Sequence, residues 1–173
     1  MDRTKVYVII VAVVAIALVI TGALMVFNKS PDLLNSEFCV VVTSSMDGGP
    51  TEYEISTIPV NSLIAVHKLH GDDAKGIKVG DVIGFRSSLV AGNIYHRVIA
   101  IDEEKQRFTT KGDNASSTET VAFSEANGKV VNVSKTAGDV VVFVKQNQLF
   151  IIFALIMLVI IAEAVSYLLK LWK

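Results

Sequence analysis

Two long apolar runs constrain this chain more than anything that lies between them. Val6–Phe27 continues for 22 residues without a charge, and Leu149–Leu169 is broken only by Glu163. A helix needs about 20 apolar residues to cross the hydrocarbon core of a bilayer, whereas a signal-peptide core takes about 7–15. Both runs therefore read as retained transmembrane helices, over residues 6–27 and 149–169. Composition agrees: 51% of the 173 residues are hydrophobic and mean hydropathy is +0.52. Such values exclude a disordered chain and are unusual for a soluble enzyme.

Flanking charge sets the expected orientation. Arg3 and Lys5 precede the first run, and Lys170 and Lys173 follow the second. Positive flanks favour the cytoplasm, so residues 1–5 and 170–173 are expected there. Lys29 and Lys145, at the other ends of the two runs, weigh against this. Residues 28–148 then form an extracytoplasmic domain of a two-span cell-membrane protein. That segment holds 12 Lys and Arg against 15 Asp and Glu, which suits translocation. Without a basic surface, nucleic acid is not an expected partner. A single Cys excludes an intramolecular disulfide and a multi-Cys metal site, and no cofactor is expected.

The middle segment reads as mainly β. Runs rich in β-branched residues recur at 38–43, 62–68, 81–86, 94–101, 107–110, 129–133 and 139–144, separated by turn signals such as Gly71-Asp72-Asp73 and Gly112-Asp113-Asn114. Short strands at this spacing predict a sandwich or a partly closed barrel.

A hydrolytic nucleophile needs a base and a means of stabilising an oxyanion. Ser45 follows a strand, in Val42-Thr43-Ser44-Ser45-Met46-Asp47-Gly48-Gly49, where a loop could present both a hydroxyl and backbone N–H groups. His96 lies in the apolar strand Ile94–Ile99, and a polar residue on an apolar face calls for a partner. Asp113, after the next strand, could return a carboxylate to His96 and fix its tautomer. Taken singly, each is commonplace: a turn serine, a core histidine, a turn aspartate.

Together these stretches resemble type I signal peptidases, membrane serine endopeptidases. Thr43-Ser44-Ser45-Met46 is similar to the family's S-x-S-M nucleophile box directly after an N-terminal span, and Gly80-Asp81-Val82-Ile83-Gly84-Phe85 to its G-D-x-[VI]-x-F strand. His96-Arg97-Val98-Ile99 stands where the common bacterial branch carries a Lys before Arg-Val. A His there, followed by Lys111-Gly112-Asp113-Asn114 and Gly128-Lys129-Val130, resembles the endoplasmic-reticulum-type branch. The boxes keep the family's order across residues 40 to 131. Departures include Gly48 where the family has Pro, Thr43 for the first Ser, and an apparent insertion over Asp47–Ser56.

The resemblance implies Ser45 as nucleophile, His96 as general base and Asp113 as its orienting acid. The oxyanion is expected at the Ser45 N–H with the Thr43 hydroxyl. Glu119 is the nearest candidate for the second acid of the His branch. An extended peptide could add to the strand edge at Val41 and Val42, with Tyr95 nearby. The implied substrates are signal peptides of preproteins emerging from the translocon, cut after small residues, with membrane lipid as a neighbour; accessory subunits are not indicated either way. A second reading is a non-catalytic membrane-anchored β domain that binds exported peptides or scaffolds a secretion complex.

Other features read more plainly. Cys39 is expected as a packed strand residue, with a Cys39–His96 nucleophile pair as the weaker reading. His67 and His70 are expected at the surface rather than as a metal pair. Glu163 could face a partner helix or lie near the cytoplasmic end of its span.

Overall fold

A computed structural model describes residues 35–87 and 92–172. The first expected span, 6–27, lies outside the described residues. Seven strands run β1 (Ser36–Val40), β2 (Leu63–Lys68), β3 (Val82–Arg86), β4 (Asn93–Asp102), β5 (Arg107–Lys111), β6 (Thr118–Ala122) and β7 (Ala126–Ser134). They form one antiparallel sheet in the order β1-β2-β7-β3-β4-β5-β6. Strands β3 to β6 are a meander, and β7 returns to insert between β2 and β3.

The sheet is strongly curled. β1 and β4 are four positions apart in the order, roughly 19 Å in a flat sheet at about 4.8 Å per strand. Yet Cys39 Sγ of β1 lies 3.4 Å from Tyr95 Oη of β4. Curling gives β3 two covered faces, and its first four residues are all buried. Ile83 and Phe85 pack with Val98, Phe108 and Val121 in one core cluster. Val82 packs on the other face with Met46, Ile58, Ile64, Val66 and Val130.

Two elements differ from the sequence expectation. Residues 139–144, expected as a strand, belong to α1 (Lys135–Gln146). β-branched propensity is a weak preference that tertiary context overrides. Here Ser134 Oγ accepts from the Ala137 N–H at 3.2 Å, an N-cap, and Lys135 pairs with Asp139 one turn on. Gly138 permits this packing, since a Cβ there would fall 1.9 Å from the Asn61 carbonyl oxygen. The second difference is β6, which the sequence reading left without a strand.

The helix α2 (Gln148–Leu171) extends the expected span of 149–169 by one residue before and two after. An 18-residue stretch of it has a mean hydropathy of 2.8, and at 1.5 Å per residue its 24 residues reach about 36 Å, enough to cross a bilayer core of about 30 Å. Exposed apolar side chains run along it from Leu149 to Leu171, and Glu163 is exposed as well. It is the one helix among the described residues long and apolar enough to cross a membrane. Two compact units meet in sequence between Val140 and Val141; the sheet belongs to the first and α2 to the second.

Candidate active site

The sheet unit holds a cleft of about 550 Å³ with Ser45, Thr43, Val41, Val42, Tyr95 and His96 all in its lining. One wall is β1 and the chain that follows it; the other is the start of β4. The outer edge of β1 is unpaired among the described strands. β5 pairs with β4 only from Arg97 onward, so the Asn93–His96 edge facing the cleft is also free of a strand partner.

Ser45 sits on a tightly held loop. Asp47 N–H donates to the Ser44 carbonyl at 3.0 Å, Ile58 N–H to Met46 O at 3.0 Å, and Asn114 N–H to Ser45 O at 2.8 Å. Met46, 2% exposed, anchors the loop in the core beneath. The Ser45 hydroxyl has the Thr43 hydroxyl 3.4 Å away. No hydrogen bond joins it to His96 among the described residues.

His96 is 6% exposed, with its ring edge-on to Phe85 at 6.1 Å between centroids. Its Nδ1 lies 2.7 Å from Glu119 Oε2, and the Thr110 hydroxyl donates to the same oxygen at 3.4 Å. A carboxylate against Nδ1 holds the proton there and leaves Nε2 as the acceptor. That Nε2 faces the Ser45 loop. The point where a Gly112 Cβ would stand is 3.0 Å from Nε2 and 2.7 Å from the Ser45 carbonyl oxygen. The missing side chain of Gly112 leaves the gap across which His96 Nε2 and the Ser45 loop face each other.

Asp113 is placed differently from the expectation. Its carboxylate does not meet His96; it accepts from Arg97 Nε at 2.8 Å and Nη2 at 2.6 Å, with both side chains nearly buried. Glu119, expected only as a second acid, makes the contact with the imidazole instead. The cause is the pleat: adjacent residues His96 and Arg97 point to opposite faces, and each takes the acid on its own face.

Arg97 is the residue that the sequence reading passed over. Beyond Asp113 it donates from Nη1 to Gly80 O at 2.8 Å and from Nη2 to Ser56 O at 3.3 Å, and it lies 4.9 Å over the Tyr53 ring. Tyr53 packs in turn on Gly80, whose φ of 98° and missing Cβ admit the ring. The Asp47–Ser56 segment is thus tied to the site by Arg97, and closed on itself by Thr51 and Ser56, which exchange three hydrogen bonds. Gly48 completes the joint, since a Cβ there would lie 2.7 Å from the Asp113 backbone. The signal available in the sequence was an arginine directly after the candidate base, in a strand with no visible cationic role.

Cys39 meets Tyr95 Oη and, at 3.6 Å, Glu37 Oε1, not His96. Burial pushes its thiol above the ordinary range, partly offset by the Tyr95 hydrogen bond. Burial likewise raises the Tyr95 phenol, so both stay protonated at neutral pH. His67 and His70 are exposed, and no group of three or more His, Cys, Asp or Glu among the described residues could hold a metal ion. The chain matches no protein-family model and no curated protein.

Proposed function

We propose that the protein is a membrane-anchored serine endopeptidase of the His-type signal peptidase kind, cutting signal peptides from exported preproteins. The observation that carries the reading is the imidazole of His96, with a carboxylate on Nδ1 and Nε2 turned to the Ser45 loop in an extended cleft. A serine, an imidazole and a carboxylate in that sequence of contacts are the parts of acyl transfer.

In this reading Ser45 Oγ attacks the scissile carbonyl while Nε2 takes its proton. Glu119 stabilises the resulting imidazolium. The Ser45 N–H and the Thr43 hydroxyl receive the oxyanion. Collapse breaks the C–N bond, the imidazolium protonates the leaving amine, and water, deprotonated by His96, releases the acyl group. Oγ and Nε2 come into hydrogen-bond reach in this reading when substrate binds, as such bonds commonly tighten in the complex. Asp113 and Arg97 position the Ser45 loop rather than touching substrate. Val41, Val42 and Tyr95 line the path of an extended peptide between the two unpaired strand edges. Two spans, 6–27 and α2, would hold both termini in the cytoplasm and the sheet outside, where preproteins leave the translocon beside lipid.

Purified full-length protein in detergent, incubated with a preprotein, tests this. A single cut after a small residue is expected, lost in both Ser45→Ala and His96→Ala with folding intact. Cleavage that survives Ser45→Ala would refute the assignment, and no cleavage by the unaltered protein would favour the peptide-binding domain.

A further inference from the structure

We propose that the end of the cleft remote from Ser45 is a cation-selecting subsite, where the Glu37 carboxylate receives a Lys or Arg side chain of the bound peptide. This rests on the peptidase reading only in taking an extended peptide as the occupant. Glu37 and Cys39 are two apart on β1 and project to the same face, into the cleft. Most of the remaining lining is aliphatic or neutral; His96 is the only other ionisable group in it besides Cys39 and Tyr95. The thiol and the phenol stay neutral, and Glu37 is the one carboxylate among the described residues of the wall.

Among the described residues that carboxylate has no ion-pair partner, and the hydrogen bond it accepts is from the Cys39 thiol, a weak donor at 3.6 Å. A half-buried carboxylate without a counter-charge is costly to cover, unless the covering group is itself a cation. A peptide laid along the wall with an apolar or acidic residue here buries an unpaired charge; one with Lys or Arg pairs it. The neighbouring surface suits such a group, because Tyr95 Oη, fixed by Cys39 and Asn93, offers a further acceptor. Position follows from chain length: at about 3.3 Å per residue of extended chain, Glu37 lies at most roughly 20 Å along the wall from Thr43. The selected residue is then about six positions from the scissile bond. Small-residue preference beside Ser45 and charge preference at Glu37 are separate determinants in one cleft.

The test measures binding, so that it does not depend on turnover. Fluorescent peptides containing Ala-x-Ala, with Lys, Gln or Glu walked through successive positions on either side, are titrated into full-length Ser45→Ala protein in detergent. At one position about six residues from the Ala-x-Ala end, Lys should bind about tenfold more tightly than Glu, with Gln between. High salt should shrink this ratio. Glu37→Gln, similar in shape, should bring the ratio to near one, and Glu37→Lys should invert it. Because each ratio is taken within one protein, general loss of affinity does not mimic the effect. A ratio near one at every position, a ratio that survives Glu37→Gln, or no binding by any peptide would overturn the proposal. Failure of the peptidase reading looks different: no cleavage by the unaltered protein, with the order of affinities retained.

Discussion

Replacing Gly112 with Ala inserts one carbon where His96, the proposed base, and the Ser45 loop face each other. Its Cβ would stand 2.7 Å from Ser45 O, 3.0 Å from His96 Nε2 and 3.1 Å from Ala115 Cβ, where ordinary contact begins at 3.4 Å. No left-handed backbone is required at 112, so the cost is contact alone. Ala115 cannot retreat easily, because its N–H closes the same turn onto Gly112 O at 2.9 Å. The Ser45 carbonyl must then withdraw by about 0.7 Å and the imidazole by about 0.4 Å, since close contacts rise steeply. Overpacking of this kind costs about 1–3 kcal/mol of stability, whereas a displacement near 1 Å between reacting groups costs about 100-fold in rate. On the proposed peptidase reading, the expected result is kcat reduced about 100-fold on a preprotein substrate in detergent, with a thermal midpoint lower by about 2–12 °C. A folded Gly112→Ala protein with kcat within about threefold of the unaltered protein would refute the reasoning, because the gap would then not be where the proposed chemistry is assembled.

The two carboxylates should separate cleanly. Glu119→Gln keeps the shape but removes the charge beside the imidazole, and is expected to lower kcat by on the order of 10³ with little change in stability. Asp113→Asn leaves Arg97 buried with a weaker partner, and should cost about 3 kcal/mol in denaturant unfolding. If Asp113→Asn abolishes turnover without loss of stability while Glu119→Gln leaves it, the two roles are reversed. Cys39 should react with iodoacetamide more slowly than free cysteine at pH 8. The direction follows from its raised thiol: less thiolate is present at any given pH, and the rate should keep climbing where that of free cysteine levels off. Coincident pH profiles would contradict the burial seen here.

Six of the seven strands were legible because runs rich in β-branched residues fall between turn residues at them. At β3 the run Val82-Ile83-Gly84-Phe85 lacks a polar face because the curled sheet covers both of its faces. Residues 139–144 misled for the converse reason. Asp-Val-Val-Val-Phe-Val carries every local mark of a strand, and what makes it helical is not local: the Ser134 cap and the close seat of Gly138 against the Asn61–Leu63 backbone.

The exchange of acids at the site was within reach of the sequence, had one more strand been recognised. Residues opposite each other in an antiparallel ladder share a face, as do residues two apart on one strand. Val98 pairs with Thr110, and Thr110 with Glu119; Val98 is two from His96, so Glu119 and His96 fall on one face. Arg97 pairs with Lys111, two before Asp113, which assigns Asp113 to the arginine. The step that failed was Thr118–Ala122. Thr-Glu-Thr-Val-Ala offers a single large apolar residue, Val121, to the core, and an edge strand with one wet face needs no more than that. Without β6 there was no ladder to carry Glu119 across to the imidazole, and the nearer carboxylate in sequence was the natural choice. Chain distance favoured Asp113; parity favours Glu119, and in a pleated sheet parity decides, because a one-residue error reverses the face of every side chain that follows.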